Sequence, residues 1–219
     1  SPEEITEALD AATGEVIWKA NHPTRFRPQV GGGNGPLCTP TVSNDRVITF
    51  GAQGMLTCLN AQTGAILWQH RTHEKFDAGE GYFGSGSSPL VIDLDNDGNH
   101  EIIFGDFNGV IHIYHTDGTE YMNNVFPFDT GNQIWGSPAS ADMDLDGKLD
   151  FIFPSSDKSL YFFDEMGFKG SIDCESFLIA TPTIGNIDDD PELEVVIGGF
   201  SGGNNRKIFA FNHDLTPVT

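Results

Sequence analysis

Four segments of this 219-residue chain share a hydroxyl residue, a proline and a polar residue four positions after the proline. They run Thr39-Pro40 to Asn44, Ser88-Pro89 to Asp93, Ser137-Pro138 to Asp142 and Thr181-Pro182 to Asn186. The prolines lie 49, 49 and 44 residues apart. A second marker recurs in phase with the first: a short apolar run, a polar residue and usually a glycine turn. Its copies are EALDAATG, TCLNAQTG, HIYHTDG, YFFDEMG and FAFNHDL, starting near residues 7, 57, 112, 161 and 209. Between the markers lie β-rich runs: RVITF, HEIIFGD, LDFIFP and LEVVIGG. A further extended run follows the second marker, as in EVIWKA and AILWQH.

Each unit therefore reads as four short strands with turn signals at every junction, and no stretch carries a helical period. Four-stranded units at intervals of about 40 to 50 residues predict an all-β fold, a β-propeller. A β-sandwich would not repeat so regularly. The phase places a half-blade at 1–20, with its third strand at 5–11 and its fourth at 15–20. Blades follow at about 37–70, 86–130, 135–178 and 179–219, giving about four and a half in all. Two arrangements satisfy this count. The chain is part of a larger ring and has exposed edges, or the half-blade completes the last blade and closes a small ring. A short fourth strand at 215–219 would argue against the second.

Acidic residues outnumber basic ones 32 to 11, for a formal charge of −21. That excludes nucleic acid and anionic membrane surfaces as partners and calls for counter-charge, which divalent cations supply. The 17 Phe provide core volume. No segment has the apolar length to insert across a bilayer. The opening Ser-Pro-Glu-Glu carries no signal-peptide pattern, so the sequence reads as a mature form or an excised piece. Cys38, Cys58 and Cys174 lack metal-ligand spacing, and an odd number excludes a fully paired framework. They read as small buried hydrophobes.

The motifs ALDAATGEVIW (8–18) and CLNAQTGAILW (58–68) resemble the tryptophan-docking repeat of quinoprotein-like propellers. Residues 83–109 resemble an FG-GAP repeat, the calcium-binding blade of integrin α-subunit propellers and of many bacterial secreted proteins. Residues 135–167 repeat the pattern and 179–213 do so more loosely. The resemblance implies a non-catalytic propeller that is extracellular, cell-surface or periplasmic.

The chemistry concentrates in two nine-residue windows. The first holds Asp93, Asp95, Asp97, Gly98, Asn99 and Glu101, and the second Asp142, Asp144, Asp146, Gly147, Lys148 and Asp150. Ca²⁺ takes six to eight hard oxygen ligands at about 2.3–2.6 Å in a flexible arrangement. Acids at the first, third, fifth and ninth positions supply carboxylates. The seventh residue, Asn99 or Lys148, offers a backbone carbonyl. Glycine at the sixth permits the left-handed backbone of a tight turn. An EF-hand would need a bidentate Glu at the twelfth position and flanking helices, but Phe104 and Phe153 stand there inside strands. A plain solvated Asp-Gly turn does not account for four carboxylates in nine residues, twice, at one phase of a repeat. Without a cation they would repel one another. The third window, Asn186, Asp188, Asp190, Glu192 and Glu194, keeps oxygen ligands but has Pro191 in place of glycine, which makes it a weaker metal candidate. The matching turn of the first full blade, Ser43-Asn44-Asp45-Arg46, is expected to bind nothing. Two Ca²⁺ sites and a weaker third are expected, each stapling the first two strands of its blade.

Residues 19–36 and 70–87 join blade to blade on the opposite face. Arg25, Arg27, His73 and Tyr82 within them suit an acidic or sugar ligand, although an ordinary solvated connection is the favoured reading. No nucleophile elbow, zinc-protease motif or catalytic cysteine motif is present. A quinoprotein dehydrogenase resembles a larger ring and has a vicinal cysteine pair, which this sequence lacks. The resulting expectation is a calcium-stapled binding module for a protein or carbohydrate ligand. It allows for further blades from a parent chain or a second copy. The rival class is the propeller of a secreted enzyme, either a polysaccharide lyase-like protein or a quinoprotein.

Overall fold

The computed structural model describes residues 3–23, 38–51, 54–72, 86–201 and 206–218. The strands form a row of antiparallel sheets, and the described residues contain no helix. A two-stranded hairpin comes first, β1 (Glu3–Leu9) with β2 (Val16–Pro23). Blade 1 has β3 (Thr41–Ser43), β4 (Arg46–Phe50), β5 (Met55–Asn60) and β6 (Ile66–Arg71), hydrogen-bonded in that order. Blade 2 has β7 (Leu90–Ile92), β8 (Glu101–Gly105), β9 (Val110–His115) and the short β10 (Phe128–Asp129). Blade 3 has β11 (Ala139–Ala141), β12 (Asp150–Pro154), β13 (Ser159–Asp164) and β14 (Gly167–Asp173). Blade 4 has β15 (Thr183–Gly185), β16 (Glu194–Phe200) and β17 (Arg206–Phe211). This is the all-β propeller architecture that the repeat predicts.

Among the described residues, the first hairpin pairs with no strand of blade 4. It docks instead on blade 1, where Trp18 packs with Ala20, Val47 and Leu59. In blade 4 the fourth position is already entered by the chain itself, through a bridge from Phe211 to Pro217 and a hydrogen bond from the Val218 amide to the Ala210 carbonyl. The half-blade closing the last blade is therefore not the arrangement seen.

The two sequence markers turn out to be the contacts that join one blade to the next. The Thr39 amide donates to Ser88 Oγ at 2.8 Å, the Ser88 amide to Ser137 Oγ at 2.8 Å, and the Ser137 amide to Thr181 Oγ1 at 3.2 Å. Each hydroxyl thus satisfies a backbone donor of the preceding blade, and the proline that follows has no donor of its own to satisfy. Ser137→Ala leaves the Ser88 amide without this acceptor. The expected cost is about 1 kcal/mol, read as a fall in Tm of roughly 2–4 °C.

The tryptophans act the same way at the outer strands. Trp18 Nε1 donates to the Ala61 carbonyl at 2.9 Å and Trp68 Nε1 to the Thr116 carbonyl at 3.0 Å. Both rings lie over a turn glycine of the next blade. A Cβ on Gly64 would come within 2.5 Å of Trp18, and one on Gly118 within 3.0 Å of Trp68.

The core consists of layers between blades. The layer between blades 2 and 3 is the most aromatic, with Phe126, Phe151, Phe153, Tyr161 and Phe163 all buried. Cys38, Cys58 and Cys174 are in no disulfide, are buried and pack into apolar layers. Burial pushes the Cys174 thiol up to about 11.

Candidate metal centres

The three acidic windows fill the β7–β8, β11–β12 and β15–β16 connections. Each joins the first and second strands of its blade, so the three loops open on one face. A common hydrogen-bond scheme shapes them. In the first, Asp93 Oδ2 accepts from the Gly98 amide at 3.0 Å, and in the second Asp142 Oδ2 accepts from the Gly147 amide at 3.0 Å. Gly98 and Gly147 have φ of 89° and 90°, the left-handed turn that the sixth position requires. The fourth residue is also left-handed, Asn96 at 58° and Leu145 at 59°. Asp97 Oδ1 accepts from the Asn99 amide at 2.7 Å, and Asp146 Oδ1 from the Lys148 amide at 2.9 Å.

The ninth-position acids are turned inward at the start of the second strand. Glu101 is 1 % exposed, and its Oε2 accepts from the Leu94 amide at 3.0 Å. Asp150, 6 % exposed, accepts from the Met143 amide at 3.1 Å. Glu194, 0 % exposed, accepts from the Ile187 amide at 2.8 Å. This repeated link from ninth carboxylate to second amide closes each loop.

One carboxylate oxygen from each of Asp93, Asp95 and Asp97 lies within 4.8 Å of the others, and the same holds for Asp142, Asp144 and Asp146. In the third loop the group is Asp188, Asp190 and Glu194. There Asn186 turns its amide to the Asp190 carbonyl, and Pro191 replaces the left-handed glycine. Glu192 is half-buried beside the group and is not among its three members. In each loop one buried carboxylate oxygen has no hydrogen-bond partner: Asp93 Oδ1, Asp142 Oδ1 and Glu194 Oε1. A buried anionic oxygen without a donor is costly, and a hard cation is the partner that an all-oxygen donor set fits. The residues present therefore suit Ca²⁺.

The electrostatics fit a site that a cation completes. Burial raises the Glu101 carboxyl, against the opposing Leu94 amide and His115. Burial likewise raises Asp150, with Lys169 opposing. Desolvation raises Asp190, helped by the charges of Asp188, Glu192 and Glu194. Asp97 is lowered by the Asn99 amide and side chain. A bound divalent ion would be the largest local charge and would reverse the raised values.

Three neighbours of the loops were not legible in the motif. His115 Nδ1 stands 3.2 Å from Glu101 Oε1, and Tyr121 senses the charges of Asp95 and Glu101. Lys169 Nζ lies 2.9 Å from Asp150 Oδ1 and 3.3 Å from Asp144 Oδ2. Lys148 itself pairs with Glu165, away from the carboxylates of its loop. In blade 1, Arg46 Nε lies 3.8 Å from Asp45 Oδ1 at the turn expected to bind nothing. Arg25, Arg27, His73 and Tyr82 lie outside the described residues.

Two family models match the chain and overlap across blade 2. Residues 2–120 match the family model described as outer membrane protein assembly factor BamB, and residues 93–153 match the FG-GAP-like repeat. A quinoprotein ethanol dehydrogenase of Pseudomonas aeruginosa is 30% identical over 144 residues, covering 60% of this chain and 19% of that protein. A quinoprotein alcohol dehydrogenase, PedH, of Pseudomonas putida is 24% identical over 131 residues, covering 60% and 18%. Among solved structures, BamB from Moraxella catarrhalis gives a TM-score of 0.62 at 21% identity, covering 97% of this chain and 53% of that one. Quinohemoprotein alcohol dehydrogenase from Comamonas testosteroni gives 0.61 at 16% identity, covering 98% and 39%. The chain thus spans about a fifth of the curated relatives and about half of the BamB structure.

Proposed function

This chain belongs to the family described as outer membrane protein assembly factor BamB, and we propose that it is a non-catalytic, calcium-stapled propeller that presents a binding surface to a protein partner in an exported compartment. The observation that carries the calcium reading is an orphaned buried carboxylate oxygen in each of the three loops, on the first-position acid in two of them (Asp93, Asp142) and on the ninth-position acid in the third (Glu194). Each loop bridges the first two strands of a blade, so ion binding there is folding free energy. The structural relative named BamB supports a scaffold role. No described helix is long and apolar enough to cross a membrane.

A carbohydrate ligand is a finer possibility of the same surface-presenting role and rests on the composition of 19–36 and 70–87 alone. The quinoprotein reading has its own observation, the 30% identity to an ethanol dehydrogenase. That match spans 19% of the dehydrogenase. Dye-linked alcohol oxidation after incubation with pyrroloquinoline quinone and Ca²⁺ separates the two classes. The proposal expects none, and sustained turnover would overturn it.

Calorimetric titration of the metal-free chain with Ca²⁺ tests the binding itself. Saturation is expected at two or three ions per chain, with loss of one ion on Asp95→Ala. A flat titration from folded protein would overturn the calcium reading.

A further inference from the structure

The second acidic loop already holds a cation of its own. Lys169 Nζ, on β14, spans Asp150 Oδ1 at 2.9 Å and Asp144 Oδ2 at 3.3 Å, the ninth and third ligand positions of that window. In blade 3, Lys169 follows Phe168, the partner of Phe163, and in blade 2 the matching partner of Tyr114 is Glu120, so the residue in the place of Lys169 is Tyr121. Glu120 lies toward His112, at 3.7 Å from Nδ1. The groups facing Asp95 and Glu101 in the first loop are Tyr121 and His115. Among the described residues, no lysine or arginine forms an ion pair with Asp93, Asp95, Asp97 or Glu101. The two windows are alike in ligand pattern and opposite in what neutralises them.

We propose that the Lys169 ammonium is a built-in competitor of Ca²⁺ at the Asp142–Asp150 loop, so that this loop binds the ion more weakly than the Asp93–Glu101 loop. The inference rests on the calcium reading of both loops. An ion entering the second loop must displace the ammonium from Asp144 and Asp150 or be held beside it. Asp142 Oδ1 remains without a partner while Lys169 pairs with Asp144 and Asp150, so the ammonium neutralises the loop only in part. Repulsion between a divalent ion and an ammonium a few ångströms away, at surface-like screening, weakens binding about tenfold or more. Blade 3 then keeps its loop partly neutralised at calcium levels too low to fill it, whereas blade 2 depends on the ion. The two loops respond over separate calcium ranges.

The test is Ca²⁺ titration by calorimetry of the whole chain, as wild type, Lys169→Met, Lys169→Gln and Lys169→Arg. The expected result is that one class of site tightens about tenfold in the Met and Gln variants and stays weak in the Arg variant. Adding Asp144→Ala to Lys169→Met should abolish the tightened site and leave the Asp93–Glu101 site untouched. Equal affinities in wild type and in both neutral variants, with the ions still bound, would overturn the competition while sparing the calcium reading. Absence of any binding would overturn both. Circular dichroism identifies the folded variants, and either neutral substitution suffices for the comparison.

Discussion

Excess EDTA is expected to lower the Tm of the calcium-loaded chain by about 5–10 °C for each site emptied, because the ion binds the folded loops and not the unfolded chain. The size follows from mass action. Calcium at a hundredfold over Kd contributes about 2.7 kcal/mol per site, and a domain of this length shifts by roughly 2–4 °C per kcal/mol. What the ion adds is visible in the loops. Asp93, Asp95 and Asp97 bring oxygens within 4.8 Å of one another, and Asp93 Oδ1 is buried with no donor. Removing the ion restores that repulsion and leaves the oxygen unsatisfied. Differential scanning calorimetry in calcium and in EDTA reads the difference. Asp95→Ala should lower the Tm in calcium and shrink the EDTA response by one site's share. An unchanged Tm in EDTA, from a sample shown to be loaded, would remove the staple from the account of this fold.

The repeat made the fold legible because each of its invariants has one job at one phase. Ser88, Ser137 and Thr181 recur since each accepts an amide from the blade before. Gly64 and Gly118 recur since a tryptophan of the preceding unit lies on them. A single-residue reading recovers such positions, but it cannot supply their partners, which lie 43 to 49 residues away. The first hairpin shows the limit at strand ends. Its strands run Glu3–Leu9 and Val16–Pro23 where 5–11 and 15–20 were expected, because pairing with a neighbour extends β2 past the apolar run into Asn21, His22 and Pro23. Blade 2 shows another limit. Its fourth strand starts with a bridge at Glu120, leaves the sheet over 122–127 and returns only as Phe128–Asp129, and no periodic pattern marks that excursion.

The candidate centres divide in the same way. Ligand types and the sixth-position glycine follow from hard-cation chemistry and backbone sterics, both local properties. The inward turn of Glu101, Asp150 and Glu194 onto a backbone amide seven residues back is a folded-state contact that spacing alone does not reveal. Lys169 reaches Asp150 and Asp144 across 19 and 25 residues of sequence, so the motif gives no hint of it.

Phe151→Ala is expected to cost about 3–5 kcal/mol, the range for deleting a large buried aromatic. Phe151 on β12 is 0 % exposed and stacks on Phe163 with centroids 5.0 Å apart and planes at 10°. Phe153 meets it edge-on at 6.2 Å and Phe126 at 6.0 Å, so the cavity is walled by rings held on several strands and cannot collapse. Phe200, 41 % exposed on β16, offers the control, since Phe200→Ala removes a ring that water already reaches. The control should cost well under half as much, by the scaling of free energy with apolar area buried. Urea denaturation with an unchanged m-value would assign the whole loss to stability. The measurement also tests the layered core. If blades 2 and 3 unfold as one unit, the cavity lowers a single transition. If each blade were an independent unit, Phe151→Ala would split the curve and leave blade 1 and its Phe50–Phe104 contact with blade 2 at the wild-type midpoint. The shared layers at every junction favour the single transition, because removing one blade exposes the apolar face of the next.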